Sequence, residues 1–255
     1  MKKTLTSIAI TVLAITNYSL AQTNKNNLVI NNSNFKSPVV LELFTSQGCS
    51  SCPPADFILS KYATENNGNV IPLAFHVDYW NRLGWKDPFS KAQYSERQRE
   101  YAQKINSSSV YTPQLIINGK YELVGSKENE IAEIVAKESK INKLIKINIE
   151  SNVLKDNIVK VKFNLSEIDS NSLVNTALVK KKEITSIKKG ENSGLKQTNN
   201  NIVFDFKTMF SNNKNSFEQT FKFDKNWKSS DFLIVIYIQN KKTGNVICAI
   251  QSEIN

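Results

Sequence analysis

Gly48-Cys49-Ser50-Ser51-Cys52-Pro53-Pro54 sets two cysteines three apart at the junction of an expected strand and an expected helix. Upstream, Pro38-Val39-Val40-Leu41-Glu42-Leu43-Phe44 is the near-continuous apolar run of a strand buried on both faces. Downstream, Ala55, Ile58, Leu59, Tyr62 and Ala63 recur at the spacing of the inner stripe of an amphipathic helix. The two prolines suit the first helical turn, where their missing N–H groups are not needed. Cys49 is therefore expected at or just before a helix N-terminus, where unpaired amides and the positive dipole end favour a thiolate. A thiolate is the attacking species in thiol–disulfide exchange. Such a pair also serves as half a zinc site or as a passive bridge. Zinc here would have to draw on Cys248 and His76, the remaining cysteine and the single histidine.

The start of the chain reads as a secretory signal over residues 1–21. Lys2 and Lys3 precede an uncharged, largely apolar stretch that closes on Ser19-Leu20-Ala21. Position 22 is glutamine, so no lipid anchor is expected there, and no later run is long and apolar enough to predict a membrane span. The expected location is the periplasm or the exterior, where disulfides persist. About 230 residues follow, enough for one large domain or two small ones. The net charge of +10 is spread along the chain, apart from Lys180-Lys181-Lys182 and Lys188-Lys189. It reads as solvated faces, with no nucleic-acid partner expected. Cys248, within Val246-Ile247-Cys248-Ala249-Ile250, reads as a small buried hydrophobe.

Residues 22–36 are polar and asparagine-rich, a linker with a short edge strand expected near 28–30. Residues 70–77 form a second buried strand, so strand, helix and strand give a right-handed parallel unit. That unit brings His76 and Asp78 out beside the cysteines, under a loop carrying Tyr79, Trp80 and Trp85. Asp87-Pro88 is expected to open a second helix reaching about Ile105. Asn118-Gly119 predicts a type I′ hairpin between strands at 114–117 and 121–124, which carries Thr112-Pro113 to the cysteines. Ser126 is expected to cap a third helix. From about Ile141 the texture changes to seven or eight short alternating runs, the pattern of a β-sandwich. Lys189-Gly190-Glu191-Asn192-Ser193-Gly194 reads as a turn carrying glycines at positive φ.

Three segments together, FTSQGCSSCPPAD (Phe44 to Asp56), FHVDYWNRLGWKDPF (Phe75 to Phe89) and VYTPQLIING (Val110 to Gly119), resemble a family of secreted bacterial thioredoxin-like proteins catalogued as a domain of unknown function. The fold class expected from this is an α/β thioredoxin-like domain over 37–140, followed by an all-β sandwich-like domain over 141–255. The resemblance implies Cys49 as exposed nucleophile, Cys52 as resolving thiol and Pro113 as a cis-proline facing them, with the Thr112 backbone pairing with a substrate chain. The motif lacks the tryptophan before it and the Gly-Pro within it that thioredoxin has, which leaves the redox direction open. Glu42 falls close to thioredoxin's proton-relaying carboxylate and is a candidate for that role, against an outward-pointing strand residue. His76 and Asp78 are candidates to tune Cys49, and His76 can equally be a hydrogen-bonded strand end. Trp80 and Trp85 are candidates to line a substrate groove, or to plug a core.

The function expected is an extracytoplasmic thiol–disulfide oxidoreductase acting on protein disulfides and thiols, with no organic cofactor. Two alternatives stay open. One is a copper metallochaperone holding Cu(I) with Cys49, Cys52 and His76; the other is a secreted binding protein with an inert bridge.

Overall fold

Long strands from both halves of the described residues pair with one another. In the computed structural model, residues 35–65, 68–107, 109–143 and 145–255 are described. The elements are β1 (Phe35–Lys36), β2 (Val39–Thr45), α1 (Pro53–Glu65), β3 (Val70–His76), α2 (Ala92–Lys104), β4 (Gln114–Ile117), β5 (Tyr121–Val124) and α3 (Glu128–Glu138). They continue as β6 (Asn142–Lys143), β7 (Ile147–Lys155), β8 (Ile158–Leu165), β9 (Ser172–Ser186), β10 (Lys196–Phe210), β11 (Ser216–Lys222), β12 (Phe232–Asn240) and β13 (Val246–Glu253). The expected signal over 1–21 and the short strand near 28–30 lie outside the described residues.

The order β2-α1-β3-α2-β4-β5-α3 is the one expected from the sequence, but the fold class is not. Instead of a helix-rich thioredoxin-like domain followed by a separate sandwich, the protein is mostly β, with three α-helices among the described residues. β10 pairs in parallel with β3 through Ile202 and Ala74. That junction merges strands from both halves into one mixed eight-stranded sheet, ordered β13-β12-β9-β10-β3-β2-β4-β5. The sheet runs across the 140/141 division, and the described residues all belong to one compact unit.

The cause lies in β9 and β10, which are each 15 residues long. The opening half of β9 is largely apolar and buried, whereas Lys182–Ser186 pairs with a polar stretch of β10, Lys196 to Asn200. These polar residues bond to the first half by their side chains. Gln197 donates to Asp56, Asn200 to Ser60, and Asn201 to the Pro72 carbonyl. A hydrophobic period does not register such a strand.

The sheet buries one apolar cluster on one face and two on the other. α2 covers one side, where Tyr94 and Tyr101 pack on Phe44, Phe75, Val203 and Tyr237. On the other side α1 and α3 cover β2 and β4. The remainder of that side, β9, β12 and β13, is covered by a second sheet ordered β11-β8-β7. β8 shows the alternation this layer needs, with Val159, Val161, Phe163 and Leu165 buried between exposed lysines. The large sheet also rolls, so that its ends meet. Val246 N donates to Asn118 O at 2.8 Å, and Ala249 N to Ser37 Oγ at 2.8 Å. Asn118 and Gly119 have φ of 50° and 64°, as the type I′ reading of the β4–β5 turn requires.

Glu42 lies inside this roll. Its carboxylate accepts from Arg97 Nε at 2.6 Å and Nη2 at 3.0 Å, and from Tyr101 Oη. Arg97 Nη2 also donates to Tyr237 Oη at 2.8 Å, and the guanidinium stacks over Phe206 at 4.7 Å. A buried ion pair of this kind is tolerable only when its remaining donors and acceptors are filled, as they are here.

Candidate functional site

β2 ends at Thr45, and the chain turns tightly through Ser46-Gln47-Gly48 before the motif. Gly48 N donates to Ser46 Oγ at 3.1 Å and Cys49 N to Ser46 O at 3.2 Å. Gly48 passes Trp80 closely, leaving 3.4 Å to the Trp80 Cβ for any added methyl group. Pro53 and Pro54 occupy the first turn of α1, and Cys52 O accepts from Ala55 N and Asp56 N. Cys52 therefore caps the helix, and Cys49 sits one turn ahead of it. The two form a disulfide. Both are fully buried, so the expectation of an exposed Cys49 is corrected.

The Thr112–Pro113 peptide is cis and lies against this disulfide. Thr112 Oγ1 donates toward Cys49 Sγ at 3.2 Å, and Thr112 O lies 3.9 Å from the same sulfur. Trp80 Nε1 donates to Thr112 Oγ1 at 2.8 Å, so Trp80 belongs to the sulfur's cover. Trp85 stands one step back, with Nε1 donating to Gln47 Oε1 at 3.1 Å.

His76 and Asp78 part company. Asp78 accepts from Ser95 Oγ at 2.5 Å and so fastens the loop to α2. His76 is fully buried at the end of β3, with Nδ1 2.7 Å from Asp87 Oδ2. Burial by itself would lower its pKa, but the charge and hydrogen bond of Asp87, then the charge of Asp56, outweigh this and hold it raised. Burial works against Asp87 too, and His76 overrides it, holding the Asp87 carboxyl below its ordinary value. Asp87 does not cap α2, whose N-cap is Lys91. It accepts instead from Gln47 N at 2.8 Å, tying the cysteine loop to β3. Likewise Lys127, not Ser126, is the N-cap of α3.

Glu42, placed in the Arg97 network, joins none of these groups. Besides Asp87, the site holds a second buried carboxyl group, that of Asp56, one helical turn after Cys52 on the inner side of α1. Burial pushes its pKa up to about 7, against the pull of His76. Gln197 Nε2 donates to its Oδ2 at 2.8 Å. Asp56 Oδ1, Thr45 Oγ1 and His76 Nε2 are each buried with no hydrogen-bond partner among the described residues. Asp56 also lines the floor of an open groove of about 360 Å³ between α1 and β10, whose rim carries the exposed Phe57 and Leu195.

The second half of the chain completes the site. Gly190 and Gly194 have φ of 79° and 89°, as expected for the β9–β10 turn. Between them, Asn192 Nδ2 donates to Gln47 O and to Cys49 O, both at 2.9 Å, and Glu191 Oε2 accepts from Ser50 N at 3.0 Å. Sequence reasoning missed Asp56, Asp87, Gln47, Glu191 and Asn192 as site residues. One signal was available: a lone carboxylate, Asp56, among the apolar inner positions of α1. Cys248 lies in the core beneath the three-stranded sheet, as expected. No helix among the described residues is long and apolar enough to cross a membrane.

A crystal structure of the Agrobacterium tumefaciens protein AGR_C_4864 is similar, with a TM-score of 0.66 and 25% identity, covering 87% of this chain and 96% of that one. HBP35 of Porphyromonas gingivalis gives the same TM-score of 0.66 at 15% identity, over 86% of this chain and 76% of that one, a likeness of fold alone. A comparison with curated proteins gives no match. The model of one family, described as a protein of unknown function (DUF1223), matches residues 40–239. With most of its length matched, the chain belongs to the DUF1223 family.

Proposed function

We propose that this protein is a thiol–disulfide oxidoreductase acting outside the cytoplasm on the disulfides and thiols of other proteins. The observation that carries the reading is the position of Cys49 Sγ. It lies under the Thr112 hydroxyl beside a cis-proline, in the turn leading into α1, with its partner Cys52 at the helix cap. This local arrangement is also the ground for proposing kinship with the thioredoxin superfamily.

In the reduced protein, the Cys49 thiolate attacks one sulfur of a substrate disulfide. A mixed disulfide forms and the other substrate sulfur leaves as a thiolate. Cys52, after losing its proton, attacks Cys49 Sγ; the second substrate sulfur leaves, and the Cys49–Cys52 bond closes. Two electrons pass to the substrate, which takes up the protons, and a second dithiol protein must return them. The reverse sequence oxidises a substrate dithiol. No organic cofactor enters either direction. The donor at Thr112 supports the thiolate at Cys49, and we assign the Cys52 proton to Asp56, the buried carboxyl one helical turn further along α1. Because both sulfurs are covered, substrate entry requires the Trp80–Thr112 side to yield.

Trapping tests the reading. Cys52→Ser in the native host compartment is expected to accumulate mixed disulfides through Cys49 that dithiothreitol releases; absence of any adduct contradicts it. Full burial of both sulfurs favours a second reading, an inert bridge beneath a binding surface, for which Cys52→Ser yields no adducts. The copper alternative loses support because, among the described residues, no three of the histidine, cysteine and carboxylate side chains come together in a group that could hold a metal ion.

A further inference from the structure

The β9–β10 turn reaches the cysteine loop from 141 residues away in sequence. It is held there firmly. Gly190, at φ 79°, packs so close that an added Cβ would lie 3.2 Å from Trp85 Cβ. Asn192 is buried and divides its amide between two carbonyls, one on each side of Gly48. The same turn then places the Glu191 carboxylate on Ser50 N, the amide that follows Cys49. The Ser50 hydroxyl, and next its amide, hold the Glu191 carboxyl below the usual range, so it is charged at neutral pH.

We propose that Glu191 is a positioning residue that sets the redox poise of the Cys49–Cys52 pair, with Asn192 fixing the Cys49 peptide beneath it. This deepens the oxidoreductase reading and rests on it. A free amide in the turn ahead of a helix is the donor a Cys49 thiolate would use. Glu191 occupies that donor and adds a negative charge beside it. The disulfide carries no charge and is indifferent to both effects; the reduced pair is disfavoured by both. The turn therefore biases the site toward giving up electrons, the direction of a reductant, since a site whose reduced form is stabilised is the stronger oxidant.

The test is the equilibrium of purified protein with reduced and oxidised glutathione. Two glutathione thiols become one glutathione disulfide while the Cys49–Cys52 bond opens to two thiols, so electrons and protons balance. Glu191→Gln keeps an acceptor for Ser50 N and removes the charge. It is expected to shift the equilibrium toward the dithiol by about two- to fivefold, the range of exposed charge interactions. Glu191→Lys should shift it further in the same direction, and about 1 M salt should shrink both shifts. A graded response to charge is not what a purely structural contact would give. Equilibrium constants unchanged in both variants, or shifted toward the disulfide, overturn the role of Glu191. In that case a wild-type pair that still equilibrates with glutathione and reduces insulin keeps the oxidoreductase reading. A wild-type pair that equilibrates at no glutathione ratio contradicts that reading itself.

Discussion

Trp80 Nε1 donates to Thr112 Oγ1 at 2.8 Å, which leaves the Thr112 hydroxyl hydrogen to point at Cys49 Sγ, 3.2 Å away. The indole thus fixes which atom the hydroxyl serves. Thr112→Val removes that donor with little change in shape, and a hydrogen bond to a charged sulfur is among the stronger ones. Alkylation of reduced Cys49 by iodoacetamide at pH 7 is expected to slow about tenfold in this variant. Trp80→Phe, which only frees the hydroxyl to turn, should slow it less. Rates equal to wild type in Thr112→Val would remove Thr112 from the account.

Asp56 makes the oxidised protein sensitive to pH. Its pKa in the fold is about 7, against an ordinary value of 3.8, with burial as the main cause. Between those values the folded state keeps a proton that the unfolded state has released, so stability falls as pH rises from about 4 to about 7. Asp56→Asn should abolish that part of the decline, a relative gain on the order of 4 kcal/mol by pH 8 as an upper figure. Urea denaturation of both oxidised proteins at pH 4 and pH 8 measures it. The same difference between them at both pH values would mean that Asp56 ionises normally. The raised His76 acts in the same direction, so some decline persists in the variant.

Glu42 and Arg97 form a structural pair, and the expectation follows from their isolation from the sulfurs. Arg97→Met leaves a buried carboxylate without its main partner and should cost about 3–5 kcal/mol in chemical denaturation. Glu42→Gln should also destabilise, through the unpaired guanidinium. Neither should move the pH profile of Cys49 alkylation. A profile shifted in Glu42→Gln by a full pH unit would return Glu42 to the redox site.

Gly119 tests the rolled sheet. At φ 64° its added Cβ would stand 1.9 Å from Gly244 O, where the β4–β5 and β12–β13 turns meet. Gly68 has φ 81° and open space around it. Gly68→Ala should therefore cost only the left-handed strain, about 1–2 kcal/mol, and Gly119→Ala clearly more, because the two turns must separate. Equal losses in thermal denaturation would mean that the contact between the sheet ends is loose.

The first half of the fold was legible because its signals are local. An apolar run before Cys49, an inner stripe after it and Asn118-Gly119 as a hairpin are all matters of a few neighbouring residues, and the strand order they imply brings Thr112-Pro113, 63 positions on, to Cys49. What the sequence hid is non-local and polar. Asn199 accepts from Gln47 Nε2 at 2.9 Å, and Gln197 and Asn201 meet α1 and β3 with amides, not with apolar side chains. Residues of that kind read as turn or solvated face, so the union of the two halves in one sheet could not be seen. Glu42 misled for the opposite reason: its place in β2 matched a known pattern, while the arginine that claims it lies 55 positions away. Asp87 carried a second trap, since Asp-Pro is an ordinary helix opening, and although His76 could be read as a hydrogen-bonded strand end, nothing in the spacing named Asp87 as its partner.

The reduction potential of the Cys49–Cys52 pair, read from its equilibrium with glutathione at pH 7, tests the central claim most directly. Thiol–disulfide catalysts fall between about −120 and −270 mV, and structural bridges lie below about −300 mV. The account predicts a value in the catalytic range, toward its reducing end. A pair that stays closed beyond about −300 mV contradicts it.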